Sequence, residues 1–244
     1  MKVRDVLLLH GWGFSAGVWD DLAVRLAPRF RVHAPDLPGY GATPACVPYT
    51  LESIVGAVAR AAPRRCHVVG WSLGGEVALA WARRAPRQVR RLALIATTPC
   101  FTSKPGWTCA TSPAVLQEFG SFLAADRAGT LARFIAAQAK GDARARRFAG
   151  VLRDASEYGT PDSVLAAGLS VLSSTDLRRE MRKVKQPALV IHGARDRIVP
   201  AAAGRRLAWA LPDARFRLFR SCAHAPFLSQ PGQVAKMLRE FFDE

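Results

Sequence analysis

The hydrophobic positions of the chain follow two rhythms. Up to residue 97, short continuous apolar runs alternate with stretches whose apolar residues recur every three or four positions. The runs "VRDVLLLHG" (3–11), "CHVVGW" (66–71) and "VRRLALIAT" (89–97) read as buried strands, and "RVHAPDLPGYG" (31–41) as a strand leading into a Pro/Gly loop. Between them, "SAGVWDDLAVRLAPRF" (15–30), "TLESIVGAVARAAP" (50–63) and "GGEVALAWARRAP" (74–86) have helical spacing, the second opening on a Thr50 cap. Strands that alternate with helices predict a parallel sheet covered on both faces.

The rhythm breaks after residue 100. From 101 to about 183 the chain holds the helical stretches "SPAVLQEFGSFLAA", "GTLARFIAAQAKG", "ARARRFAGVLRDA" and "PDSVLAAGLSVLSS", with no convincing strand. Strands resume at "PALVIHG" (187–193) and "ARFRLFRS" (214–221), and a helix, "GQVAKMLREFFDE", closes the chain. The predicted architecture is an α/β core made of residues 1–100 and 184–244, with a helical lid at 101–183. No internal repeat or low-complexity segment is visible.

Composition narrows the class. Half of the 244 residues are hydrophobic, enough for a sizeable core, yet no run reaches the roughly 18 apolar residues of a membrane span. The start, "MKVRDVLLLHGWG", enters a core strand without a small-residue cleavage site, so no signal peptide is expected. Five cysteines, an odd number without metal-binding spacing, predict reduced thiols in a cytoplasmic protein and no metal site. The net charge of +16 reflects either a bias toward Arg and Ala or an acidic partner. Nucleic acid is disfavoured, because the arginines are spread along the chain and no nucleic-acid motif is present.

The candidate chemistry starts at "GWSLG", residues 70–74. A serine between glycines, where a strand turns sharply into a helix, is either a helix cap or a nucleophile standing at the carboxyl edge of the sheet. A nucleophilic Ser72 needs a base and an acid that orients it. His33 and His67 fall within strands, His192 ends one in "IHG" and fits packing, and His10 belongs to the "HGWG" loop. His224, in the loop "SCAHAPF" between the last strand and the last helix, is the remaining candidate. Asp196 in "VIHGARDRIVP" follows a late strand and is a better acid than the turn residue Asp213 or Asp176 at the exit of the lid, while its neighbours Arg195 and Arg197 read as solvated. The order serine, acid, histidine is that of a hydrolase built on such a sheet. The expected oxyanion donors are the N–H groups of Leu73 and Trp12, with Gly11 letting the "HGWG" loop turn and the Trp12 indole forming a pocket wall.

These residues resemble the α/β-hydrolase family, and within it the esterases that demethylate pimeloyl-[acyl-carrier protein] in biotin synthesis. The resemblance rests on "LLLHGWG" followed by "VW", "DLPGYG", "GWSLGG", "TTPCF", "RFIAAQAKG", "STDLR" and "AHAPF", which span nearly the whole chain. It implies an α/β-hydrolase fold with a helical lid, and a triad of Ser72, Asp196 and His224. It also implies substrate contacts at Trp12, Leu73 and the segment Phe134, Ile135, Ala136, Ala137 and Gln138. It implies a monomer that needs no cofactor and takes an acyl carrier protein as partner. Family members carry a β-hairpin before the "LLLHG" strand; so few residues precede it here that either the sheet is expected to lack its first strands or the true start lies upstream. The family's lid holds the acidic carrier with arginines, and Arg133, Arg144, Arg146, Arg147 and Arg153 occupy suitable helices, in a partly shifted register. Other readings of the same triad are a general carboxylesterase, a lactonase or an aminopeptidase without carrier preference. A ligand receptor that binds without turnover is a different class. Haloalkane dehalogenation is disfavoured, because that chemistry uses aspartate where this chain has Ser72.

Overall fold

The apolar runs line up in one six-stranded sheet in the computed structural model, which describes residues 4–156 and 159–244. The strands are β1 (Arg4–Leu9), β2 (Phe30–His33), β3 (Cys66–Trp71), β4 (Val89–Ile95), β5 (Ala188–Gly193) and β6 (Ala214–Phe219). Their order is β2-β1-β3-β4-β5-β6, and all five pairings are parallel. Among the described residues no hairpin precedes β1. The inner strands β3 and β5 are buried at every position, whereas the edge strand β6 exposes Arg215 and Arg217.

Alternate strand residues feed two cores, as the two-residue period of a strand requires. Leu7, Leu9, Val68, Leu92, Leu94 and Val190 pack under α2 (Leu51–Ala61), α3 (Leu73–Arg84) and α8 (Ala201–Ala210). Val6, Leu8, Val69, Ala93, Ile95 and Ile191 point the other way, under α1 (Asp20–Leu26) and α10 (Pro231–Asp243). The Thr50 hydroxyl accepts the Ser53 N–H at 3.2 Å and caps α2.

Four helices lie between β4 and β5: α4 (Pro113–Ala125), α5 (Arg127–Ala139), α6 (Ala145–Asp154) and α7 (Asp162–Ser174). The short α9 (Pro226–Ser229) precedes α10. The register aligns Leu9, Gly70, Leu94, Val190 and Phe216 across the sheet. The loops that leave β1, β3, β5 and β6 therefore open along one edge, where open α/β sheets bind their ligands. No described helix is long and apolar enough to cross a membrane.

Candidate active site

Ser72 sits between β3 and α3 with φ 53° and ψ −120°, a backbone that side chains other than glycine rarely adopt. The surroundings hold it there. The Ser72 N–H donates to the Ile95 carbonyl at 3.0 Å, and the Thr97 hydroxyl donates to the Ser72 carbonyl at 2.7 Å. The turn also needs its glycines: a Cβ on Gly70 would stand 2.4 Å from the Gly74 carbonyl oxygen, and one on Gly74 would stand 2.3 Å from that of Leu9. A cap would accept an N–H from its own first helical turn, but the Ser72 side chain makes no such bond. Leu73 opens α3, so its N–H has no carbonyl behind it in the helix. The Trp12 N–H makes no hydrogen bond among the described residues. In the loop of Trp12 the left-handed residue is Gly13, at φ 77°, and not Gly11 as the sequence suggests; Gly11 instead lets the loop pass close to the Ser72 Cβ.

His224 and Asp196 meet across the loops that follow β6 and β5. His224 Nδ1 lies 2.8 Å from Asp196 Oδ2, and both side chains are buried. A carboxylate only accepts, so the Nδ1 proton points at Asp196 and Nε2 keeps its lone pair. The other oxygen, Oδ1, takes the N–H groups of Ile198 and Val199 at 2.8 and 2.9 Å. Burial opposes a charge on Asp196. The adjacent His224 and hydrogen bonds from His192 and His224 outweigh it and hold the carboxyl well below the usual carboxylate range. Trp71, next to Ser72 in the chain, donates its indole N–H to the His224 carbonyl at 3.0 Å and so ties the two loops together. The Ser72 hydroxyl makes no hydrogen bond among the described residues; such contacts commonly close only around a substrate.

His192 has a part that the sequence reading does not assign to it. Its Nε2 lies 2.9 Å from the Val199 carbonyl and 3.2 Å from Asp196 Oδ2. A carbonyl only accepts, so Nε2 carries the proton and also donates to the acid. His10 is a structural group: Nδ1 faces the Gly11 carbonyl, Nε2 accepts the Leu37 N–H at 2.8 Å, and burial lowers its pKa to about 4. Cys100 and Cys222 are also buried, and burial pushes both thiols up, Cys222 to about 11.

Ser72 opens into an apolar cavity of about 140 Å³ beneath the lid. Trp12, Phe101, Phe119, Phe134, Leu172 and Ile198 form its walls, and Thr111 and Arg197 add polar groups. The Trp12 indole donates to the Leu165 carbonyl at 2.9 Å and meets Phe119 and Phe134 edge to face. Of the segment 134–138, Phe134 lines this cavity. Ile135 faces the core under α1 and α10, Ala136 is exposed and Ala137 half-buried. The Gln138 side chain is buried without a hydrogen-bond partner among the described residues, and the backbone carbonyl of Gln138 accepts the His224 N–H at 3.3 Å. Arg197, read from the sequence as solvated, is exposed, and it lies at the edge of the cavity that Ser72 lines.

The lid arginines divide. Arg146 and Arg153 are exposed without an ion pair among the described residues. Arg133 is exposed beside Asp126 at 3.6 Å. Arg144 donates its guanidinium to the Ser229 carbonyl at 3.0 Å, and Arg147 pairs with Asp21 of α1 at 3.6 Å. These last two are also exposed, but each is tied by that contact to a core element.

The model of the alpha/beta hydrolase family matches residues 6–237. The pimeloyl-[acyl-carrier protein] methyl ester esterase of Aromatoleum aromaticum is 44% identical over 248 aligned positions, covering 98% of each chain. The protein of the same name from Nitrosomonas europaea is 42% identical over 231 residues, 94% of this chain and 92% of its own. Among solved structures, the enol-lactonase of Burkholderia xenovorans superposes with a TM-score of 0.86 at 24% identity, over 100% of this chain and 93% of that one. An esterase from Exiguobacterium antarcticum also gives 0.86, at 22% identity over 99% and 92%. At these identities the two structures share the fold.

Proposed function

The chain belongs to the alpha/beta hydrolase family, and we propose from that premise that it is a serine carboxylesterase that removes the methyl group from pimeloyl-[acyl-carrier protein] methyl ester. The observation that carries the chemistry is Ser72, held at φ 53° where β3 turns into α3 and open to the apolar cavity. The substrate is carried over from relatives of that name, which match at 42–44% identity over nearly the whole chain.

The reaction runs in two halves. Ser72 Oγ attacks the ester carbonyl while His224 Nε2 takes its proton, and Asp196 stabilises the imidazolium that forms. The N–H groups of Trp12 and Leu73 receive the oxyanion, each worth about 3 kcal/mol by analogy with known oxyanion holes. Methanol departs with the proton from His224. Water then cleaves the acyl-enzyme by the same route and frees the distal carboxylate. The acyl chain lies against Trp12, Phe119 and Phe134. The exposed Arg133, Arg146 and Arg153 attract the acidic carrier, an attraction that salt screens.

The test is methanol release from the carrier-bound methyl ester and from free dimethyl pimelate, at low and high salt, with Ser72→Ala as control. Faster turnover of the carrier substrate that declines toward the free ester's rate with salt, and an inactive variant, is the expected result. Equal rates on the two substrates would leave the serine esterase standing and remove the carrier preference. An active Ser72→Ala enzyme would overturn the mechanism.

A further inference from the structure

The corner between α5 and α6 is stitched to the loop that carries His224, and one buried carboxylate makes the central contacts. Asp142 Oδ2 accepts the Ala223 N–H at 2.7 Å and the Ser229 hydroxyl at 2.6 Å. Its Oδ1 accepts the Arg144 N–H at 2.8 Å. Around it, the Ala143 N–H donates to the Ser221 carbonyl at 3.0 Å, and the His224 N–H to the Gln138 carbonyl at 3.3 Å. Arg195, beside Asp196, donates to the Gly141 carbonyl at 2.6 Å. Residues 221–224 thus have little secondary structure of their own, and their Ser221 carbonyl, Ala223 N–H and His224 N–H pair with the lid, while Cys222 pairs with Phe219 and Arg195 and the His224 carbonyl with Trp71.

We propose that Asp142 is a positioning residue for the reaction: it fixes the peptide before His224, and through it the aim of the imidazole, from the lid side. The inference rests on His224 being the catalytic base. The reason for a carboxylate at this point is its number of acceptor sites. It satisfies three donors at once, and two of them, Ala223 and Ser229, flank His224 on either side in the chain. A neutral amide of the same shape has a single acceptor oxygen, which can serve the Ala223 and Ser229 donors or the Arg144 N–H but not both, and it sets its NH2 against whichever donor is left over. Asp142 touches no reacting atom, so its effect must pass through His224 and should appear in kcat rather than in KM. The lid then does more than cover the cavity, because its α5–α6 corner forms part of the mounting of the base.

The experiment is a double-mutant cycle in the full chain, with Asp142→Asn, His224→Ala and the pair. It is read with a soluble activated ester, and folded protein is quantified by thermal unfolding. Asp142→Asn is expected to lower kcat roughly tenfold to a hundredfold with KM within about twofold, the penalty of misplacing a catalytic group by a fraction of an ångström. With His224→Ala already present, it should change the residual rate by less than about twofold, because residues that act through one group are not additive. An unchanged kcat, or the same fractional loss in both backgrounds, would overturn the inference. Full activity in His224→Ala alone would instead overturn the assignment of the base. Should Asp142→Asn not fold, Ser229→Ala decides: it frees one side of Oδ2, and a kcat two- to fivefold lower at unchanged KM is expected. An unaltered kcat there would count against the proposal.

Discussion

Four donors converge on Asp196: two backbone N–H groups on one oxygen, His192 and His224 on the other. Each restricts the carboxylate, so each helps to set the direction in which His224 points. His192→Leu removes one donor while keeping an apolar side chain, and is expected to lower kcat about tenfold with little change in KM, roughly 1.4 kcal/mol of transition-state stabilisation; steady-state rates on a soluble ester decide it. Phe134→Ala acts on binding instead. It opens the cavity wall beside Trp12, so KM for a medium-chain ester should rise several-fold while an acetyl ester is hardly affected, a contrast visible by comparing chain lengths. The candidates Ser72, Asp196 and His224 are read from the sequence because their motifs sit at fixed places between strands and helices, and the fold brings Asp196 and His224 into contact. His192 is not, because "IHG" is the same string whether the ring packs or donates. Its role exists only once the turn 196–199 folds back onto the end of β5. Arg197 is exposed, as the sequence reading has it, and only the fold places it at the edge of the cavity.

The sharp turn from β3 into α3 is the element on which the site depends, and α3 also carries an unexpected load. Glu76, one turn beyond Ser72, is buried, and neither carboxylate oxygen has a hydrogen-bond partner among the described residues. Burial pushes its pKa well above the ordinary carboxylate value, so the folded state resists its ionisation. The unfolded chain releases that proton near the ordinary value, so stability is lost as pH rises from there toward the folded pKa. Glu76→Met should therefore stabilise the protein by about 1–3 kcal/mol at neutral pH, the cost of an unsatisfied buried polar group. That corresponds to a Tm higher by roughly 2–12 °C for a chain of this size. The gain should shrink toward pH 4, and a Tm that does not rise at neutral pH counts against the reading. Most elements are visible in the hydrophobic pattern, and the exceptions have physical causes. The helix α8 lies outside the sequence reading because its buried face is Ala203, Gly204, Leu207 and Ala208, which contrasts weakly with the alanines around it. Gly204 is small for a reason that only the fold shows: a Cβ there would stand 2.3 Å from His192 Nδ1. The single helix read over 15–30 is shorter and split, with a 3-10 turn at Ala16–Trp19 before α1.

At the scale of the whole molecule, the large positive charge and the buried histidines act together on acid stability. His67 stacks on Phe242 at 4.5 Å, is buried, and has no hydrogen-bond partner for either ring nitrogen among the described residues. Burial, with Arg90, Arg4 and Arg91 nearby, lowers its pKa to about 3, and burial lowers that of His10 to about 4. In the unfolded chain both titrate at the ordinary value of about 6.5. Between that pH and the folded values the unfolded state binds more protons, so stability is complete above 6.5 and is lost as pH falls through the window. For His67 alone the loss reaches about 2 kcal/mol at pH 5. The carboxylate contribution of Asp196, whose folded pKa is also lowered, is lost in the same direction but at lower pH, and Glu76 acts in the opposite direction between pH 5 and pH 8, so the histidine is isolated by the difference between variant and wild type at the two pH values. His67→Leu tests the account. Leucine keeps the apolar contact with Phe242 and cannot be protonated, so the variant should gain at both pH values and gain more at pH 5, by roughly 4–8 °C in Tm beyond its gain at pH 8. Equal gains at the two pH values would mean that His67 does not titrate differently in the folded and unfolded states. The acid sensitivity would then belong to His10, whose ring holds the loop of Leu37 and therefore cannot be exchanged for leucine without losing that hydrogen bond.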